Sequence, residues 1–148
     1  MKIQSRTVTF LRSLMAGLFT GIIAGAASFL YVFIYRSAIG VEAYDMVISP
    51  LLIFLGFPIL LTFMGLLFFG MKWYLRKGAA LYSVLILWLT VFALGANLLA
   101  PGEISLSGYK GLLFGIESIT GIMSAFLLPY LARYSKFFIT QQGLRVSR

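Results

Sequence analysis

Residues 13–35, 50–71 and 79–100 contain no charged side chain, and residues 111–132 contain one, Glu117. Uncharged, apolar runs of roughly 20 residues are long enough to cross the hydrocarbon of a bilayer as helices. Hydrocarbon offers no hydrogen bonds, so every backbone N–H and C=O has to be satisfied by the segment that carries it, and a lone run of this length does that only as a helix. Soluble domains carry about 25% charged residues, whereas this chain has 11% charged and 61% hydrophobic residues. The expected fold is therefore all-α: a polytopic membrane protein, one domain over residues 1–148, built as a bundle of four transmembrane helices near 13–35, 50–77, 79–100 and 109–133, with a tail at 134–148.

Local signals refine those limits. Ser49-Pro50 reads as a helix start, a serine N-cap with proline at the first helical position. Gly78 is placed to cap the second helix, and Pro101-Gly102 stops the third. Pro58, inside the second helix, cannot donate to the carbonyl of Phe54, so a kink or a freed carbonyl is expected there. A basic start followed by Ala24-Gly25-Ala26 resembles a cleavable signal, but residues 28–35 continue apolar past that point, which favours a retained helix. Trp73 and Tyr74 suit an interfacial aromatic belt, while Trp88 falls near mid-membrane and is expected to fill packing space. Ser13, Gly17, Gly21 and Gly25 recur at every fourth position of the first helix, and Gly17, Gly21 and Gly25 are expected to let another helix approach closely.

The net charge of +8 is unevenly spread. Residues 1–12, 72–77 and 133–148 hold ten of the 12 basic residues and no acid; the other two connections hold Arg36, Lys110, Glu42, Asp45 and Glu103. By the positive-inside rule both termini are cytoplasmic, in what reads as a bacterial inner membrane. The basic residues flank apolar spans, so the expected partner is the lipid bilayer, with a homo-oligomer or a membrane protein besides, and not nucleic acid. The chain has no cysteine and no histidine, so no disulfide, haem or zinc site is expected, and no cofactor or metal.

Glu117 is the one acid within a span, and an ionisable group there is a functional-site hypothesis by default. At mid-membrane an ionised acid costs about 2.5–3.5 kcal/mol on the insertion scale. A dry bundle should hold it protonated, and water or Arg36 would allow it to ionise. Glu117, Thr120, Gly121 and Ser124 share a helical face by the three-and-four rule, which should look into the bundle, towards the glycine stripe of the first helix. Counting depth at 1.5 Å per residue sets Ser28, the Phe54 carbonyl and, slightly further out, Asn97 at the level of Glu117. The candidate binding or ion site is thus Glu117, Ser28, Asn97, Thr120 and Ser124. A leucine at 117 should destabilise, because a buried polar partner would lose its mate.

With four acids, no nucleophile elbow, no phosphate loop and no metal signature, an enzyme is disfavoured and no catalytic residue is named. The reading taken is a small non-enzymatic integral membrane protein, a subunit or an assembly or interaction protein. The alternative is a small proton- or cation-coupled transporter or channel using Glu117. Small drug exporters carry a membrane glutamate in the first helix, and this first helix has none. The segment Gly111-Leu-Leu-Phe-Gly-Ile-Glu-Ser-Ile-Thr-Gly121, with Leu127-Leu128-Pro129 after it, resembles the last helix of small uncharacterised bacterial four-helix membrane proteins. Several of those carry histidine near the place of Glu117. The resemblance covers the fourth helix and the hydropathy pattern, and it implies a location rather than an activity.

Overall fold

The computed structural model describes residues 2–39, 50–99 and 107–133. Helix α1 spans Lys2–Ile39, α2 Pro50–Tyr74, α3 Gly78–Leu99 and α4 Ser107–Ile122; a π turn at Met123–Leu127 leads into α5, Leu128–Arg133. Four helical stretches of 30, 24, 22 and 24 residues are long and apolar enough to cross a membrane, the fourth comprising α4, the π turn and α5. Helix α1 begins at Lys2, ahead of the uncharged run that starts at Ser13, because residues 2–12 include no glycine or proline to stop a helix. Glu42, Asp45, Ser49, Pro101, Gly102, Glu103 and the tail lie outside the described residues.

Gly78 opens α3 instead of capping α2, which ends at Tyr74. The turn between them closes with hydrogen bonds from Leu75 N–H to the Met71 carbonyl and from Gly78 N–H to the Leu75 carbonyl, both 3.0 Å. A β-carbon at Gly78 would run into the Met71 carbonyl. The glycine is needed because α3 starts against the last turn of α2, a close approach and not a cap.

Helices α1 and α2 form the tightest pair. A β-carbon at Gly17 would strike the Leu61 carbonyl, one at Gly21 would lie 2.5 Å from Pro58 Cα, and one at Gly25 would lie 3.4 Å from the Phe54 carbonyl. From the other side, a β-carbon at Gly65 would strike the Ser13 carbonyl. The glycine stripe therefore faces α2, in antiparallel register, and not the polar face of α4. Helix α2 runs unbroken through Pro58. The carbonyl of Phe54, which Pro58 cannot serve, lies against Gly25, where a Cα–H can approach it.

Two core clusters follow. Towards the α2–α3 turn, Ala16, Phe68, Tyr82, Ile86, Ala125, Leu128 and Ala132 bring all four spans together. Towards the other end, Val32, Ile53, Leu112 and Ile116 pack with Tyr31, Tyr35 and Phe57, drawn from α1, α2 and α4 without α3. Tyr31 Oη donates to the Gly111 carbonyl at 2.9 Å and fastens α1 to the start of α4. Outside these clusters the surface is apolar: Phe33, Leu52, Phe63 and Val91 are exposed, as side chains facing lipid are. Trp88 belongs to that surface. It is 63% exposed and stacks on Phe92, with ring centroids 5.7 Å apart, instead of filling space inside the bundle.

The π turn lies outside the sequence-based expectation, and it has an identifiable cause. Pro129 has no N–H to offer the carbonyl of Ala125, four residues back, and Ser83 Oγ of α3 donates to that carbonyl instead at 2.8 Å. Beside it Tyr82 Oη and Ser124 Oγ share a buried hydrogen bond of 2.9 Å. The Leu128 N–H reaches back five residues to the Met123 carbonyl, which closes the wide turn. Interhelical hydrogen bonds in membranes are worth about 0.6 kcal/mol on average, so Ser83→Ala should lower stability by roughly 0.5–1 kcal/mol. In a Pro129→Ala background the loss should shrink, because the substituted residue supplies a backbone N–H for the orphaned carbonyl. A thermodynamic cycle of detergent melts checks this; additive effects would mean that Ser83 and Pro129 act independently.

Candidate functional site

Because α3 leaves the core at the end away from the turn, a groove remains between α2, α3 and the fourth span. Its volume is about 290 Å³, close to the lower end of small-molecule pockets at about 300 Å³. Helix α2 contributes Phe57, Leu60, Leu61 and Met64; α3 contributes Ile86, Leu89, Thr90 and Ala93; α4 and the π turn contribute Ile116, Glu117, Thr120, Gly121 and Ser124. Leu60 and Leu89 line the groove and are 47% and 43% exposed. The groove is therefore open on the side between α2 and α3, among exposed apolar side chains of the two spans.

The polar groups on this groove differ in what they have left to offer. Thr90 Oγ1 donates to the Ile86 carbonyl at 2.8 Å and Thr120 Oγ1 to the Ile116 carbonyl at 2.7 Å. Ser124 pairs with Tyr82. Each of these three hydroxyls is already engaged in a hydrogen bond within the bundle. Glu117 is half-buried, and its Oε2 is enclosed without a hydrogen-bond partner among the described residues. It is the one ionisable group among the described residues that line the groove. A carboxyl in apolar surroundings without a partner is costly, and unsatisfied groups of this kind call for an explanation.

Glu117, Thr120, Gly121 and Ser124 thus share one face and line one groove, looking at α2 and α3. Ser28 and Asn97 do not line it, and neither does Arg36. Ser28 is fully buried in α1 with its Oγ unpartnered, and Asn97 has an enclosed, unpartnered Nδ2 on α3. A β-carbon at Gly115 would run into the Tyr31 ring and one at Gly111 into Tyr35. Continuing that antiparallel register puts Ser28 at nearly the depth of Glu117, on a different side of α4. The Phe54 carbonyl is likewise turned to Gly25 of α1.

Three participants escape the reading of the sequence. Thr90 packs where a β-carbon on Gly121 would go, which fixes the closest approach of α3 and α4. Tyr82 and Ser83 hold the π turn that carries Ser124. A signal for Ser83 is present: Pro129 orphans the Ala125 carbonyl by the same argument that Pro58 orphans that of Phe54. Among the described residues no cluster of histidine, cysteine, aspartate or glutamate is placed to hold a metal ion. Comparisons with protein families, with characterised proteins and with solved structures find no match for this chain.

Proposed function

We propose that this chain is a small non-enzymatic integral membrane protein of the interaction class, which holds another molecule of the bilayer in the groove between α2, α3 and α4. The observation that carries this reading is the sideways mouth between Leu60 and Leu89, with an unpartnered carboxyl oxygen of Glu117 behind it. A groove open to hydrocarbon is filled from hydrocarbon, and the one ionisable group it offers selects what fills it. Photoreactive benzoylphenylalanine at Leu60 and at Leu89, activated in intact cells, should give adducts of a common mass. The same residue at Phe33, on the exposed side of α1, should give bulk-lipid adducts only. Indistinguishable adducts at all three positions would overturn the reading.

The second reading, proton- or cation-coupled transport through Glu117, draws on that same unpartnered oxygen. Against it, the hydroxyls of Thr90, Thr120 and Ser118 are all turned back on carbonyls of their own helices, so they form no relay leading away from the carboxyl. Proton-driven uptake in liposomes that is lost in Glu117→Gln would favour transport over holding.

In this reading the protein lies in a bacterial inner membrane with both termini in the cytoplasm. The support is the placement of Lys72, Arg76 and Lys77 at the α2–α3 turn, with Arg12 and Arg133 at the same end of the bundle. Alkaline phosphatase fused after Asp45 or Glu103 should be active, and after Lys77 or Arg148 inactive. The reverse pattern would invert the orientation.

A further inference from the structure

We propose that the groove takes a long-chain alkyl amine, its ammonium group seated on the Glu117 carboxyl and its chain leaving between Leu60 and Leu89. This deepens the reading of the groove as a holding site and rests on it. The chemistry of the lining weighs against three other kinds of occupant. No lysine or arginine is among the described residues that line the groove, so an anionic phospholipid headgroup would set its phosphate beside an acid with no cation to hold it, which like-charge repulsion disfavours, and a zwitterionic one could meet Glu117 only through its own amine. A bare metal ion needs several oxygen ligands, about six or more for calcium, and Glu117 is the one carboxylate in that lining. A neutral hydrocarbon would fill the apolar part and leave Oε2 as unpartnered as it is without a ligand.

An alkylammonium group answers both demands. Its N–H groups donate to the carboxyl, and its charge offsets the ionised form, so each makes the other less costly in hydrocarbon. Its chain matches the apolar walls supplied by Phe57, Leu61, Ile86 and Ala93. A long-chain alcohol has the same shape but donates a single hydrogen bond and brings no positive charge, so it leaves an ionised carboxyl uncompensated in hydrocarbon. The site should therefore separate amine from alcohol, which a merely greasy groove would not.

The test uses the full chain in lipid nanodiscs with a dodecylamine carrying a diazirine at the chain end. Labelling should be saturable and map to peptides containing Leu60 and Leu89. Unmodified dodecylamine should displace it at about tenfold lower concentration than dodecanol. Glu117→Gln, which keeps the shape and removes the charge, should weaken labelling about tenfold or more. The amine-over-alcohol comparison is made on the unaltered protein, so it decides the matter even where the variant folds poorly. Saturable labelling with equal displacement by alcohol and amine would overturn the amine while keeping the groove as a holding site. Absence of saturable labelling at Leu60 and Leu89 by this probe would overturn the amine, and its absence with a dodecanol carrying the same diazirine as well would overturn the holding site with it.

Discussion

Gly21→Leu should break the α1–α2 pair and with it the bundle. A β-carbon at this position already lies 2.5 Å from Pro58 Cα and 2.7 Å from the Phe57 carbonyl oxygen. Both are backbone atoms, so no rotamer change relieves the clash; the two helices have to move apart. Gly17 and Gly65 sit on the same seam, each with a backbone carbonyl in the space a β-carbon would take, so separation at Gly21 loosens them too. Overpacking that side chains can absorb costs about 1–3 kcal/mol, and here the backbone has to absorb it. Between helices in lipid there is no hydrophobic term to compensate, only packing and hydrogen bonds. A loss of at least about 3 kcal/mol is expected, seen as a fall of roughly 10 °C or more in the detergent melting temperature. Gly56→Leu and Gly95→Leu are the controls, since nothing lies within 4 Å of a β-carbon at either site. They should melt within about 2 °C of the unaltered protein. An unchanged melt for Gly21→Leu would mean that α1 and α2 do not meet along this seam.

The contrast between Gly21 and Gly56 also marks what can be read without coordinates. Uncharged runs identify spans because the bilayer penalises every exception, and all four stand in the structure near their expected places. The spacing of Gly17, Gly21 and Gly25 is a property of one helix and is visible in one helix. Which helix fills the stripe is a property of two, and the polar face of α4 has an equal claim on sequence grounds. Depth can be counted along a span, but rotation about the helix axis cannot. Counting puts Ser28 and Glu117 at one level, and the Tyr31–Gly115 contact places them near it. They face different ways because α1 has turned its small residues to α2. The groove follows from a departure of α3 from the core that no residue of α3 announces. The π turn is different: Pro129 and Ser83 carry its logic, and the argument that applies to Pro58 in the second span reaches it when applied to the fourth.

The second large effect concerns Glu117, and the structure reverses the direction expected from sequence. The sequence predicts that leucine there destabilises by depriving a buried partner. Oε2 has no such partner among the described residues, so leucine removes a carboxyl from an apolar groove and leaves no other group stranded. The insertion penalty for an acid at mid-membrane, about 2.5–3.5 kcal/mol, is the upper limit of the gain. Glu117 lines the groove and is only half-buried, so a gain of about 1–2 kcal/mol is the sounder figure, or roughly 2–6 °C in a detergent melt. Glutamine should gain little, because its amide brings two donors that find no more partners than the carboxyl did. The expected order of stability is therefore Leu above Gln and Glu, while amine labelling should run the other way, strongest with Glu and lost with Leu. A residue that costs stability and confers binding is the signature of a site. If Glu117→Leu instead melts lower than the unaltered protein, the carboxyl holds a hydrogen bond that the folded bundle needs, and Glu117 belongs to the scaffold rather than to the groove's chemistry.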